Sequence, residues 1–458
     1  MKKRLRILAC VAAVLLAGCG GGGGSTTPVP PPATVYPAPN ALANICTPEG
    51  EKAWVRSYID DVYLWYNEIV DVNAASYATP SDYFDALLVK SKDKFSFSLP
   101  KAQMDAVLSG AGEVSYGASF TVSPDNLRLL VAYSDPNTPA SAAGLVRGTQ
   151  IVHVNGAPLT TTTASAWTAA LQPTAVGQTN SFDVLDPGAS VTRGVTLTSA
   201  LVTVTPVPQT QVITQSTGKK VGYLVFNEHI ASAEAPLSAA MAQFALAQID
   251  DLVLDLRYNP GGEGSIAAEL GAMIGGAPVT GKVFLKETFN AKHPEKTNDP
   301  SSTVAFPSVD STGKLLPTLG LPRVFVLTSG ETCSASELVI NGLKPFVTVI
   351  TIGGTTCGKP YGFNAVANCA TSYAAMEASA TNSLGQGNYV NGFAPTCAAV
   401  DNFDMPLGQT NEVLLNAALT YQTSGACPAS SAQAKQQIRL PEDGPLSDMR
   451  KRLAQPRR

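Results

Sequence analysis

The chain has 458 residues, of which 14% are charged, against about 25% in an average soluble protein. This low charge excludes a disordered or coiled-coil chain, and the 45% of hydrophobic residues supports a core large enough for two or three domains. With 35 acidic against 31 basic residues and no Lys/Arg stripe through the body, the composition also excludes a basic nucleic-acid binder.

The first 44 residues predict export and a lipid anchor. Residues 1–18 begin with a basic segment and continue with an apolar stretch too short to span a membrane, as secretory signal peptides do. The stretch ends in the letters LAGC, which resemble the lipobox of bacterial lipoproteins and imply lipidation of Cys19. Residues 19–44, rich in Gly and then in Ser, Thr and Pro, would form a flexible tether. We expect an exported lipoprotein, and because Gly20 follows the cysteine, the resemblance favours the outer membrane, facing the periplasm or the cell surface.

Residues 45–108 are predicted to form an N-terminal helical module. Large apolar and aromatic residues recur at spacings of three and four from Trp54 to Tyr66, which is typical of one buried helix face. Helix starts are offered by residues 47–51 and by Pro80 with the two residues after it. We therefore predict helical structure throughout residues 47–107.

Residues 109–202 change to short alternating strands separated by Gly, Pro and Asn. The letters YGASF, the turn NTPASAAGL at 137–145 and a strand ending in VNG resemble a PDZ domain of the bacterial protease type. That resemblance implies an open sheet edge that accepts a peptide strand, and a loop that binds its terminal carboxylate. The candidate peptide-binding residues are Tyr116, Gly117, Ala118, Ser119 and Phe120. Thr149 stands where such domains commonly have Asp, and a domain serving only as scaffold is the alternative.

Residues 203–428 alternate strands with helices, which predicts an α/β core with a substantial parallel sheet. Such sheets place their sites at the carboxyl ends of the strands. The predicted elements are strands at 221–226, 251–256, 323–327 and 347–352, and helices at 235–248, from about Ser265 and from about Ser334. Residues 429–458 are predicted to be a disordered basic tail.

Two strand-end loops contain candidate catalytic residues. The first, DLRYNPGG at 255–262, has paired glycines that can turn sharply and present N–H groups to a ligand. The second, TSGETCSASEL at 328–338, places Ser334 between a strand and a helix, where a hydroxyl and free N–H groups are exposed. No histidine lies near it in sequence, so the candidate base is Lys359, which burial would keep neutral.

Together these segments resemble the C-terminal processing peptidases, also called tail-specific proteases. The letters SASE, the Thr-x-Gly-Lys motif ending 25 residues after Ser334, and the DLRxNPGG stretch match that family in order, and the resemblance spans roughly residues 45–425. It implies an α/β multidomain protein whose catalytic core is crotonase-like, built from ββα units. It also implies a serine endopeptidase that acts on polypeptides without metal or other cofactor.

Carried over by position, Ser334 is the nucleophile and Lys359 the general base. Backbone N–H groups of Ala335 and of Gly261 or Gly262 would form the oxyanion hole. Glu337, one helical turn after the serine, is a possible auxiliary residue, with a plain first-turn helix charge as the alternative.

Three further residues bear on these assignments. Ser336 is the competing nucleophile, but it corresponds to a structural helix position in the family. The family often has Gln four residues beyond the lysine, and this chain has Phe363, which leaves the auxiliary hydrogen bond to the lysine in question. His153 lies in a predicted strand and is interpreted as structural.

The cysteines predict disulfides in an exported protein. Apart from Cys10 and the lipidated Cys19, there remain Cys46, Cys333, Cys357, Cys369, Cys397 and Cys427. If the Ser/Lys dyad forms, Cys333 and Cys357 are brought to the same place, so we predict a disulfide between them. The most local pairing of the other four is Cys369 with Cys397 and Cys46 with Cys427.

The sequence therefore predicts a lipid-anchored serine endopeptidase that captures polypeptides near their C-terminus and cleaves them with a Ser334/Lys359 dyad. The leading alternative is a weakly active or inactive peptide-binding lipoprotein of the same fold. A polysaccharide-binding surface protein is a third interpretation, and it rests only on the Gly/Ser/Thr-rich composition.

Overall fold

The computed structural model describes residues 35–109, 112–123, 128–160 and 163–429. The predicted signal peptide, Cys19, most of the tether and the basic tail lie outside these residues. Within them, no helix has both the length and the apolar character needed to cross a bilayer.

The N-terminal module is mainly helical, and both predicted helix starts are confirmed. Its elements are α1 (Pro39–Leu42), α2 (Pro48–Val62), α3 (Pro80–Leu87), β1 (Phe97–Pro100) and α4 (Lys101–Ser109). The side chains of Thr47 and Thr79 accept the N–H groups of Gly50 and Asp82, so each threonine caps the helix that begins one residue later.

A small β-rich module follows. Its elements are β2 (Glu113–Ser115), β3 (Ala118–Val122), β4 (Leu129–Ser134), α5 (Pro139–Ala142), β5 (Gln150–Val154), β6 (Ala157–Pro158), α6 (Ala164–Leu171), β7 (Thr179–Leu185), β8 (Arg193–Thr198) and β9 (Ala200–Val202). The main sheet has the order β3-β4-β5-β7-β8, with β3 at one end, and it packs around the buried Trp167 and Phe182. Strands β2 and β9 pair with each other, so the chain enters and leaves this module at the same place.

The core contains a six-stranded sheet in the order β10-β11-β12-β15-β16-β21. The core elements are β10 (Gln209–Thr214), β11 (Lys220–Val225), α7 (Glu234–Ala247), β12 (Asp251–Asp255), α8 (Gly264–Gly275), β13 (Val283–Phe289), α9 (Pro294–Asn298), β14 (Thr303–Ala305), β15 (Arg323–Thr328), α10 (Ala335–Leu343), β16 (Thr348–Gly353), β17 (Tyr361–Gly362), β18 (Val366–Asn368), β19 (Thr371–Ala374), β20 (Ala378–Thr381), β21 (Cys397–Ala398) and α11 (Val413–Ser424). From β11 to β21 all neighbours are parallel, and β10 is antiparallel to β11.

Helices cover both faces of this sheet. Apolar side chains of α7, α8 and α10 pack on one face, and those of α11 pack on the other. All five residues of β12 are buried, as expected for a parallel strand covered on both sides. The predicted mixed α/β fold and the predicted alternation of strands and helices are therefore confirmed.

The prediction of helix throughout residues 47–107 was wrong at β1. This strand pairs antiparallel with β19, Phe97 lying opposite Ala374, in the three-stranded sheet β1-β19-β18. The same hairpin contributes Tyr373, whose ring packs 5.4 Å from Trp54 of α2. Local helical spacing is overridden here because pairing with a distant strand satisfies the backbone and buries the aromatic side chains.

The disulfides differ from the sequence prediction in two pairs of the three. Cys333 and Cys357 are joined as expected, with Cα atoms 5.1 Å apart. The others are Cys46–Cys369 and Cys397–Cys427, so the predicted pairs Cys369–Cys397 and Cys46–Cys427 were wrong.

Long-range packing explains the two corrected pairs. Cys369 sits in the turn between β18 and β19, and beside it Asn368 accepts the Asn44 N–H at the start of the N-terminal module. Cys397 begins the edge strand β21, and Cys427 follows α11, which packs on that sheet. Nearness in sequence was therefore the wrong criterion for these four residues.

A proteolytic digest of the non-reduced protein should yield three cross-linked peptide pairs, 46–369, 333–357 and 397–427, because each pair already lies within disulfide distance. Mass spectrometry identifies them, and the same digest after reduction provides the control. A peptide linking Cys369 to Cys397 would contradict the packing of the hairpin against the N-terminal module.

Candidate active site

Ser334 lies at the turn between the end of β15 and the start of α10. The Leu338 N–H donates to the Ser334 carbonyl at 2.9 Å, which makes the serine the N-cap of the helix. Its φ of 52° and ψ of −116° lie outside the regions that residues with a side chain favour. The residue is only partly buried, so a strained turn presents it at a helix N-terminus.

The glycines of the Asn-Pro-Gly-Gly turn allow the two strand-end loops to touch. A Cβ on Gly261, whose φ is 105°, would lie 2.7 Å from Ser334 Cβ and 2.8 Å from the Ala335 nitrogen. A Cβ on Gly262 would meet the carbonyl of His229 at 2.1 Å. Only glycine fits at either position, and at Gly261 the turn comes directly against Ser334 and Ala335.

Asn259 fastens this turn to the nucleophile loop, a role that the sequence prediction missed. Its carbonyl accepts the Cys333 N–H at 3.1 Å and the Ser336 hydroxyl at 3.0 Å. Its side-chain oxygen accepts the Gly261 N–H at 2.9 Å, and its amide donates to the Phe226 carbonyl. The predicted structural role of Ser336 fits this contact. The Asn-Pro-Gly-Gly letters marked the turn but not the function of the asparagine side chain.

Glu337 connects the loops of Ser334 and Lys359. Its carboxylate accepts the N–H of Ser334 at 3.1 Å, of Gly358 at 2.9 Å and of Lys359 at 2.8 Å, and also the Thr356 hydroxyl. The side chain is fully buried. Burial raises the pKa of Glu337, while these hydrogen bonds oppose that rise by stabilising the ionised form. The residue that was predicted as a possible auxiliary therefore binds both members of the candidate dyad.

The Cys333–Cys357 disulfide is a second link between the same loops. Cys333 directly precedes Ser334, Cys357 lies two residues before Lys359, and the Cys357 N–H donates to the Thr332 carbonyl at 3.0 Å. In the described part of the chain, these two cysteines and Glu337 are the one cluster with metal-ligand residue types. Because the two sulfurs bind each other, only the carboxylate is left as a ligand.

Lys359 lies in a mostly apolar pocket. Its Nζ is 4.8 Å from the ring centre of Phe363 and 5.6 Å from that of Phe95, which comes from the N-terminal module. Burial lowers the pKa of Lys359 to about 8, while the carboxylates of Asp93 and Glu337 act in the opposite direction. The sequence predicted a buried base and singled out Phe363, but it gave no signal for Asp93 or Phe95.

His229 is the histidine beside this site, and it is buried against the glycine turn. Its Nδ1 lies 3.0 Å from the side-chain oxygen of Asn259, and its backbone N–H donates to the Gly261 carbonyl. Burial lowers the pKa of His229 to about 4, which keeps the ring neutral near pH 7. His153, interpreted as structural, lies on β5 with Nδ1 3.0 Å from Asp183 on the neighbouring strand.

A buried network of charged side chains lies directly before the glycine turn. Arg257 donates through Nε to Asp255 at 2.9 Å and through its two terminal nitrogens to Glu412 at 2.7 and 3.0 Å, and Asp401 lies 3.4 Å away. Burial alone would lower the pKa of Arg257, but the three carboxylates raise it well above its usual range. The sequence motif contained Asp255 and Arg257 without revealing that they form an ion pair.

The β-rich module contacts both site loops. Arg147 donates to the hydroxyl of Tyr258 and to Asp401, next to the glycine turn. On the edge strand β3, the Thr121 hydroxyl donates at 3.1 Å to Glu331, three residues before Ser334. Strand β3 therefore lies beside the loop that contains Ser334.

Replacing Arg257 with Ala should lower the free energy of unfolding by about 3–5 kcal/mol, because it leaves buried carboxylates without their counter-charge. Arg193→Ala is the matched control, since its partly exposed pair with Asp186 should contribute only about 0.2–1 kcal/mol. Urea unfolding followed by circular dichroism measures both. Equal losses for the two variants would contradict the role assigned to the network.

Comparison with known proteins identifies two segments. Residues 50–97 match the Peptidase S41 N-terminal domain, and residues 220–373 match Peptidase family S41. Two curated relatives, from Picosynechococcus sp. and Synechocystis sp., are both named carboxyl-terminal-processing protease. The first is 28% identical over 261 residues, which are 57% of this chain and 58% of the relative. The second is 25% identical over 268 residues, which are 57% of this chain and 56% of the relative.

The chain therefore spans a little over half the length of these curated relatives. A crystal structure of an S41 protease from Bacteroides fragilis is also similar, with 26% identity and a TM-score of 0.66. The similarity covers 81% of this chain and 97% of that one. Two segments of the chain thus match peptidase family S41, its N-terminal domain first and its peptidase domain second, and the fold is similar to that of an S41 protease.

Proposed function

We propose that this protein is a serine endopeptidase in which Ser334 is the nucleophile and Lys359 is the general base. The observation that carries the proposal is the buried Glu337 carboxylate, which binds the backbone N–H groups of both residues. The disulfide between Cys333 and Cys357 adds a covalent link between the same two loops. The match of residues 220–373 to Peptidase family S41 supports a peptidase, and the names of the two curated relatives support processing near the carboxyl terminus.

The chemistry follows from the groups present. Neutral Lys359 accepts the proton of the Ser334 hydroxyl, whose oxygen attacks the peptide carbonyl. The negative oxygen that forms is stabilised by backbone N–H groups at the start of α10 and in the glycine turn. Protonated Lys359 then gives the proton to the leaving amine, and water hydrolyses the acyl-enzyme by the reverse sequence.

Two N–H donors fit the oxyanion hole best. One is that of Ala335, which begins α10 directly after the nucleophile. Of the two glycines, Gly262 is favoured, because the Gly261 N–H already donates to the Asn259 side chain. The donors belong to two different strand-end loops, so the hole depends on the contact between Gly261 and Ser334.

The β-rich module is proposed to be a PDZ-like domain that captures the substrate. Strand β3, at the end of its sheet, offers an edge to which an extended peptide can add. The loop before it turns at Gly117, whose φ is 76° and whose added Cβ would lie 2.3 Å from Thr138. The Thr121–Glu331 hydrogen bond supports delivery from this edge to the nucleophile loop. A crotonase-like arrangement of the core remains part of this proposal.

The proposed location is outside the cytoplasm, on a lipid anchor at Cys19 in the outer membrane. The signal-like N-terminus and the LAGC letters support export and lipidation. The three disulfides also support an oxidising compartment, because such bonds are rare in the cytosol.

Ser334→Ala and Lys359→Ala should each lower cleavage of unstructured casein by at least about 10³-fold, since they remove the attacking oxygen and the base. Ser336→Ala is the matched control and should lose far less, because that hydroxyl only donates to the Asn259 carbonyl. Cleavage is measured by release of acid-soluble peptides. Equal cleavage by all four proteins would refute the dyad, and no cleavage by the wild type would favour a peptide-binding lipoprotein of the same fold.

The cleavage rate should rise with pH and level off above about pH 8. Burial lowers the pKa of Lys359 to about 8, and only the neutral amine accepts a proton. Below that value the neutral fraction falls about tenfold for each pH unit, and the rate should fall with it. Initial rates between about pH 6 and pH 10 test this. The residual rate of Lys359→Ala should not show this rise with pH. A wild-type rate that decreases through pH 8 would contradict the assignment of Lys359 as the base.

A further inference from the structure

The pocket of Lys359 is built from two parts of the chain that are distant in sequence. Phe363 follows β17 in the core, and Phe95 precedes β1 in the N-terminal module. Both ring centres lie within 6 Å of the Lys359 Nζ, the range in which an ammonium is attracted to an aromatic face. A single lysine thus has two such rings around it, one from each module.

Further aromatic rings pack against these two. The Phe97 ring meets Phe363 edge-on at 5.5 Å, and Phe95 lies 6.3 Å from Tyr361. Trp65 in turn packs edge-on against Tyr361 at 5.0 Å. We call these five residues the aromatic wall. Three of them belong to the N-terminal module, so that module forms much of the pocket.

Asp93 adds a fixed negative charge to the pocket. Its side chain is 2% exposed. It accepts the N–H of Phe95 at 2.8 Å, the N–H of Ser96 at 2.9 Å and the Tyr63 hydroxyl at 2.8 Å. These bonds fix the carboxylate and, through the backbone, the position of Phe95. The charges of Asp93 and Glu337 both act to raise the pKa of Lys359, against the larger effect of burial.

The chemistry of the proposed reaction explains what such a pocket does. Lys359 begins neutral and becomes an ammonium when it takes the Ser334 proton, so the charge appears inside an apolar site. The two rings beside the Nζ offer that charge no conventional hydrogen-bond acceptor. The aromatic faces and the carboxylate of Asp93 can stabilise the ammonium. The apolar surface of the rings still favours the neutral amine before the reaction begins.

We propose that Phe95, Phe363 and Asp93 are positioning residues that stabilise the protonated form of Lys359, and that the N-terminal module thereby completes the site of the base. This inference rests on the proposed function, in which Lys359 is the base that becomes protonated. The groups that face the lysine are Asp93 from the N-terminal module, Glu337 from α10 and the two rings. The pKa of Tyr361 in the aromatic wall is raised by burial and, to a smaller extent, by the Asp93 charge.

The test is a direct titration of Lys359. Protein labelled with ¹³C-lysine is titrated by NMR, and the Lys359 signal is assigned by its loss in Lys359→Arg. Phe95→Leu and Phe363→Leu keep an apolar side chain but remove the aromatic face, so each midpoint should fall by about 0.5–1 pH unit. Asp93→Asn should lower it as well, because the opposing charge is gone. In the cleavage assay, the part of the pH–rate profile in which the rate increases should move to lower pH by the same amount.

Phe97→Leu is the matched control. It removes a ring of the same wall that packs on Phe363 rather than on the lysine, so it should reduce stability without moving the midpoint. Unchanged midpoints in all three test variants, or an equal shift in Phe97→Leu, would overturn the proposal. Because the titration needs no substrate, a wild type that fails to cleave casein would refute the proposed function while the midpoints still decide on the pocket.

Discussion

The site depends on one buried carboxylate. Glu337 has no access to water, so its charge must be satisfied by protein donors, and it finds them in the backbones of Ser334, Gly358 and Lys359. Strands β15 and β16 are parallel neighbours, so the loops after them emerge at the same edge of the sheet. One turn of α10 places the glutamate between them. The proposed nucleophile and base are thus joined because both loops donate hydrogen bonds to a single buried charge.

The surrounding structure holds that arrangement from several sides. Gly261 permits contact with Ser334, Asn259 ties the glycine turn to the nucleophile loop, and Arg257 fixes the strand end beneath. Each of these contacts joins the segment after β12 to the loop after β15 or to the segment before α11. The N-terminal module contributes Asp93 and three rings of the aromatic wall on the side of the lysine. The proposed chemistry therefore draws on residues spread over more than 300 positions of the chain.

The sequence predicted the site best where chemistry depends on local order. The spacing of Ser334, Glu337 and Lys359 and the paired glycines were visible as motifs. The four strands and three helices that were predicted for the core begin within about two residues of their predicted positions. It failed at β1 and at Cys46, Cys369, Cys397 and Cys427, where the outcome depends on contacts between distant segments. Asp93 and Phe95 gave no signal because nothing in their neighbourhood marks them as facing a lysine.

By itself the sequence determined the alternation of strands and helices, the candidate nucleophile and base, and one disulfide, because periodicity and motif spacing are properties of short segments. Only the tertiary structure decided how the other four cysteines pair, that residues 97–100 form a strand, and which groups surround Lys359. Those outcomes depend on which distant surfaces bury each other. A buried ammonium is stabilised by whatever ring or carboxylate the fold brings within a few ångströms, whatever its place in the chain.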